Sequence, residues 1–427
     1  MGDSVPSGAE YQSGWLAAAT LFMVLFLVAW GRFRLELIAL SGIFFLGVTG
    51  TVPHALLLSG FSHPALVTMA AVFVMSRAIV DSGLLAGLGL ALAHRVHTPH
   101  GQILSLALVT AMLSAFMNNV GALGLILPTG LRMARRLSLS PGTFGMPLAF
   151  ASIIGGSMTM VGTGPNLLIA NLRGTELGEP FGMFDFLPIG LPLLLTATVL
   201  WIICKSCGIV GEEQGPPPSD PIETNSVASR ATSTWKRGIT LAVVLFAIVS
   251  VSSGWLSSAW GFGSAALLLV LLNVTSIEAA HESLDVPILL FIGAMIGLAN
   301  ALSSSAVFEK LQYWVMPLVS VLPPLSVIAI LLFLSSALAN STNNAAAAVA
   351  MAPVALMIAG QTPGVSQDAS LMAVAIGAGL SIVLPTHQVT LLAKSRAPFD
   401  QHRFMRVGLV MTIVLGVVAS SLIYMLF

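Results

Sequence analysis

The chain has 427 residues, of which 56% are hydrophobic and only 8% charged; 17 basic and 17 acidic side chains cancel, and the mean hydropathy is +0.95. An ordinary soluble domain carries roughly 25% charged residues, and so few charges cannot cover a soluble body of this size. A soluble enzyme, a disordered chain and a disulfide scaffold are therefore excluded, which leaves an all-α polytopic membrane protein with no sign of a nucleic-acid partner.

The N-terminal stretch MGDSVPSGAEYQSG is acidic and polar. It lacks the basic start of a cleaved signal peptide, so the first apolar run is expected to be retained. Apolar stretches of spanning length follow at 15–30, 37–51, 64–80, 102–129, 146–171 and 186–204. The last ends in Cys204-Lys-Ser-Cys207, the only cysteines. Two thiols without a second pair or nearby histidines make a weak metal or redox motif and read as a membrane-edge pair. Residues 211–236, with Gly-Pro-Pro-Pro-Ser-Asp-Pro and many Ser and Thr, read as a cytoplasmic linker between a first repeat, 15–210, and a second, 237–427. In the second half the apolar stretches are 238–253, 262–274, 286–301, 322–360, 371–393 and 407–426. The order of lengths repeats, which indicates internal duplication.

Two of these runs are too long for one crossing. Residues 311–367 carry no Asp, Glu, Lys or Arg, whereas one crossing takes about 20 residues. The run 102–129 is flanked by Arg95 on one side and Arg132, Arg135 and Arg136 on the other. Basic residues favour the cytoplasm, so this segment enters and returns on one side. Both runs are expected to be re-entrant hairpins, about 102–136 facing the cytoplasm and about 322–360 facing outward. An odd number of crossings then remains in each half, which turns the second repeat upside down, as in many secondary transporters. With both termini outside a cell (inner) membrane, every basic residue except Arg173 and Lys310 lies on the cytoplasmic side.

The hairpins carry a shared motif. Asn118-Asn119 precedes Pro128, and Asn343-Asn344 precedes Pro353, at a constant offset of 225. Asn is costly in hydrocarbon unless satisfied. At a hairpin tip it tolerates the turn, and its oxygen can join backbone carbonyls around a small hard cation. The second arm starts there, so its free N–H groups can face an anion. The alternative is that Asn only caps the second arm. Each hairpin is followed by an interrupted segment: Gly155-Gly156-Ser157 to Gly162-Thr163-Gly164-Pro165-Asn166, and Ser381 to Pro385-Thr386-His387-Gln388. Unwound backbone at membrane depth is tolerated only against protein or a cavity, so tips and breaks are expected to meet near the midplane. His387, well inside an apolar run, reads either as a packed neutral histidine or as a substrate contact or pH sensor. No Asp or Glu lies deep in an apolar stretch, which favours a coupling cation held by neutral oxygens, with sodium the natural candidate. No Lys or Arg stands at the tips.

These motifs resemble the divalent anion/sodium symporter family of the ion-transporter superfamily, across about Trp15 to Phe427. The resemblance implies a homodimer that moves di- or tricarboxylates or sulfate by an elevator-like motion of the hairpin domain. It also implies a first sodium site from Ser114, the Asn118 carbonyl, the Asn119 side chain and the Gly162 carbonyl. A second would use Thr342, Asn344 and a carbonyl near Pro385–Thr386. Substrate contacts would come from Asn119, Thr163, Asn344 and Thr386, to which the reading of the tips and of the second break adds Asn118, Asn343 and His387. The chain departs from the family pattern where Val120 and Ala345 replace tip hydroxyls, where Ala339 stands in place of a sodium-site threonine, and in its second loop, which is closer to sulfate-permease-like members. The reading is a sodium-coupled symporter of a small anion. Alternatives are an arsenite-type efflux carrier or a cation/proton antiporter of the same superfamily, or an anion channel. No HExxH or Gly-x-Ser-x-Gly motif suggests an enzyme.

Overall fold

The computed structural model describes residues 8–30, 32–84, 98–206, 234–303, 310, 313–314, 317, 319–359, 362–385 and 387–427. Arg95, Cys207, Arg230, Thr386 and all of the linker before Thr234 lie outside these residues. The first half forms helices α1 (Gly8–Trp30), α2 (Leu35–Thr49), α3 (His54–Leu58), α4 (Pro64–Asp81), α5 (Pro99–Ser114), α6 (Asn119–Arg136), α7 (Gly142–Gly156), α8 (Gly164–Leu177) and α9 (Leu187–Ser206). The second half forms α10 (Thr234–Ser252), α11 (Ser258–Leu271), α12 (Ile277–Ser283), α13 (Val286–Ser303), α14 (Pro324–Ser341), α15 (Asn344–Ala359), α16 (Gln367–Gly379), α17 (Gln388–Arg396) and α18 (Gln401–Leu426). The two series run in step, long helices and short ones alike.

Local chemistry sets the ends. Pro64, Pro99 and Pro324 open α4, α5 and α14, where the missing N–H has no helical partner to lose. The Thr98 hydroxyl accepts from the Gly101 N–H at 3.2 Å, and the Ser366 hydroxyl accepts from the Ala369 N–H at 2.9 Å. Gly50 closes α2 at φ +64°.

Each over-long, weakly charged run folds as two helices lying side by side, α5 with α6 and α14 with α15. The interrupted segments are pairs as well, α7/α8 and α16/α17, with non-helical backbone between them. Among the described residues, four helices or helix pairs are long and apolar enough to cross a bilayer: 54–81, α10, α14 and α18. The α12 and α13 helices, bent by 50° at the break between them, are together long and apolar enough to do so as well. Others are short for the task, α2 at 15 residues and α11 at 14, against about 20 for a full crossing.

Packing divides the helices into two groups. The first contains α1 to α4 and α10 to α13, and the second contains the hairpins, the broken helices, α9 and α18. Contacts between halves are reciprocal: α2 packs on α13 while α11 packs on α4, and α8 packs on α16 while α17 packs on α7. Within the second group each broken helix rests on its own hairpin through a glycine. A Cβ on Gly155 would stand 2.4 Å from the Ala111 Cα, and one on Gly377 would stand 2.3 Å from the Leu332 carbonyl oxygen. Phe150 of α7 stacks on Phe404 of α18 at 4.8 Å and meets Trp201 of α9 edge-on at 6.2 Å. Phe22, Phe44, Val249 and Leu271 of the first group project outward, as lipid-facing side chains do.

Candidate functional site

At both tips the two asparagines divide the work. Asn118 leaves helical geometry and its Oδ1 accepts from the Val120 N–H at 3.1 Å; Asn343 does the same with the Ala345 N–H at 2.9 Å. The first asparagine of each pair is thus the cap of the second arm. The second asparagine is buried, with 6% exposure at both Asn119 and Asn344.

The surroundings of the buried pair differ. The Asn119 Oδ1 accepts from the Ser114 hydroxyl at 2.7 Å, and its carbonyl accepts from the Ser152 hydroxyl at 2.7 Å. Ser114 is fully buried behind the tip, and its Oγ also lies 2.6 Å from the Ser152 carbonyl. Gly156 completes this nest. A Cβ there would stand 2.5 Å from Asn119 Oδ1 and 3.0 Å from the Gly162 carbonyl oxygen, so only glycine lets these oxygens converge. In the second half Ala339 replaces Ser114 in register, and Asn344 Oδ1 is buried with no partner among the described residues. The Asn166 Oδ1 and the Ser157 and Ser381 hydroxyls are in the same position. Leaving such a group unmade costs about 1–3 kcal/mol, and a small cation or a water is what completes a set of this kind.

The unwound segments are tied to their hairpins by side chains. Thr159 donates its hydroxyl to the Ala115 carbonyl and accepts from the Gly162 N–H at 3.2 Å. Asn166 donates to the Thr159 carbonyl at 2.9 Å, and Thr163 caps α8. In the second half the tie runs the other way. Asn340 of α14 accepts from the N–H groups of Val383 and Leu384 at 2.9 and 3.1 Å and donates to the Ser336 carbonyl at 2.8 Å. A Cβ on Gly379 would stand 3.2 Å from Ser157 Oγ, so the two breaks are neighbours.

Tips and breaks share a cavity of about 90 Å³. Asn118, Asn119, Gly162, Thr163, Asn343, Asn344 and His387 all line it, as do Val120 and Ala345. The ring of His387 caps α17, with Nδ1 accepting from the Val389 N–H at 3.4 Å. Thr342 and Pro385 are not among the lining residues. The Thr342 hydroxyl turns back to the Leu338 carbonyl at 2.7 Å and finishes its own helix. Ser114 stands one layer behind, and Thr386 lies outside the described residues. Sequence reasoning missed Ser152, Thr159 and Asn340, whose only signal is a polar residue in an apolar helix or beside a break. It also missed Asp285, which lines the cavity from the residue just before α13. The apolar stretch begins one residue later, so Asp285 reads as part of an acidic loop.

A family model described as CitMHS, citrate transporter, matches residues 25–379. The chain belongs to this citrate transporter family. That family lies within the superfamily of the divalent anion/sodium symporters. An uncharacterized transporter of Escherichia coli, YfbS, is 33% identical over 197 residues, covering 46% of this chain and 32% of that protein. A probable sodium/sulfate cotransporter of Chlamydomonas reinhardtii is 28% identical over 157 residues, covering 34% of this chain and 17% of its own. An uncharacterized transporter of Mycobacterium tuberculosis is 25% identical over 342 residues, covering 75% and 76%. The chain thus spans about a third or less of the bacterial and algal relatives named first. The crystal structure of the Alcanivorax borkumensis YdaH transporter aligns over 98% of both chains, with a TM-score of 0.45 and 14% identity.

Proposed function

We propose that this member of the citrate transporter family is a secondary active symporter. It carries a sulfate-like oxyanion or a di- or tricarboxylate together with sodium. The observation that carries the reading is the single cavity lined by both asparagine tips and both helix breaks. Neutral oxygens line it, that of Asn344 buried and unpartnered among the described residues. Such oxygens suit sodium, while the N-terminal N–H groups of α6, α8, α15 and α17 suit an anion. Sodium held at Asn119 and Asn344 supplies the positive charge that no Lys or Arg among the described lining residues provides.

The reciprocal packing of α2 on α13 and α11 on α4 supports an inverted repeat. With this arrangement the hairpin group moves as a cargo-bearing body against the α1–α4 and α10–α13 group, in a homodimer of the inner membrane with both termini outside. Names of the algal relatives support sodium and sulfate, and the family name supports citrate.

Uptake into proteoliposomes tests the reading. Radiolabelled sulfate, succinate and citrate are offered with an inward sodium gradient or with choline. Accumulation of at least one anion, dependent on sodium and abolished in both Asn119→Ala and Asn344→Ala, is the expected result. Normal uptake by both variants, with insertion intact, rejects the site. Flux that cannot accumulate anion or exchange it identifies a channel.

A further inference from the structure

The cavity is lined by a fixed negative charge. Asp285 caps α13, its Oδ1 accepting from the Ile288 N–H at 3.2 Å, and it borders the same space as the two tips. No ion pair neutralises it; those among the described residues join Arg34 to Glu36, Arg77 to Asp81 and Arg173 to Asp368. Among the described residues, the only other ionisable side chain lining the cavity is His387. Asp285 is only partly buried, and a carboxylate on the wall of a cavity acts on whatever charge enters it. It borders a place proposed for a dianion, and like charges repel. The same carboxylate favours a cation in that cavity.

We propose that Asp285 makes anion loading conditional on cation loading. While the cation positions are vacant, Asp285 opposes the anion. Once sodium is held by the tip oxygens, the field at the cavity reverses and the anion enters. Asp285 belongs to the α10–α13 group, whereas the tips belong to the hairpin group, so its influence acts across the boundary between them. Asp285 is therefore a positioning residue for coupling, and this role rests on the sodium-symporter reading above.

The full chain, purified in detergent, is tested by thermal unfolding with sulfate and citrate as probes, each titrated in sodium and in choline. The wild type is expected to be stabilised by an anion only with sodium present. Asp285→Asn keeps the cap, since Asn serves that position as well as Asp. It is expected to respond to the same anion in choline, and in sodium to show a midpoint lower by about tenfold. Asp285→Glu, which keeps the charge, is expected to keep the sodium requirement. An Asp285→Asn protein that elutes as a single species with the wild-type sodium requirement and midpoint overturns the proposal and leaves the symporter reading standing. A wild type stabilised by neither anion, or stabilised equally in choline, overturns both.

Discussion

The doubled asparagines place two jobs side by side, and substitution should separate them. Asn118→Ala and Asn343→Ala remove a cap hydrogen bond, at a cost of about 1 kcal/mol each. The backbone carbonyl of Asn118 survives, so the sodium-induced thermal shift is expected to persist in that variant. Asn119→Ala is expected to lose the shift with little change in unfolding temperature. Gly156→Ala should give the same loss from a neighbouring position, because its Cβ would stand 2.5 Å from Asn119 Oδ1 and 2.6 Å from Thr163 Cγ2. Overpacking of this kind costs about 1–3 kcal/mol, which a sodium titration followed by thermal unfolding reads directly. The pair itself was legible in the sequence because it recurs in register. Which asparagine caps and which is buried was not, since that depends on φ and ψ at the tip. Asp285 was illegible for another reason: it stands just outside an apolar stretch, and only packing brings the start of α13 to the tips.

At the scale of elements, the charge-free stretch and the arginines around the first hairpin announced helices that turn back. The first break was announced by its glycines and Pro165. The second has only Pro385 within it, and its stabilising partner is remote. Asn340 holds the Val383 and Leu384 N–H groups from a different helix. Asn340→Ala leaves both part-buried donors without that acceptor, at about 1 kcal/mol for each, whereas Asn340→Asp keeps an acceptor at the same place. Lower unfolding temperature in the first variant and partial recovery in the second is the expected pattern. Arg173, one of the two basic residues expected away from the cytoplasmic side, forms a forked pair with Asp368 at 2.6 and 2.9 Å and donates to the Glu179 carbonyl. It ties α8 to α16 across the two halves. The pair is partly exposed, so a double-mutant cycle should give a coupling of about 1 kcal/mol, and Arg173→Lys should not restore it because the fork is lost.

For the whole molecule, composition and the repeated order of stretch lengths were enough to expect an all-helical, duplicated membrane protein. They could not indicate which helix of one half rests on which helix of the other. Helices such as α2 and α13 are apolar on nearly every side, and a uniformly apolar helix has no face to read. The observed answer is exchange: α4 rests on α11, and α13 rests on α2. This has a consequence for how the protein is made. When the ribosome has finished α9, the seats for α2 and α4 do not yet exist, and Thr163 has no opposite tip to face. The first half must wait in the bilayer, exposed to quality-control proteases, until its counterpart is translated. Two fragments divided after Ser206 should each be degraded when expressed alone. Co-expressed, they should protect one another and recover a sodium-dependent thermal shift, as partners that assemble rather than as a chain that folds.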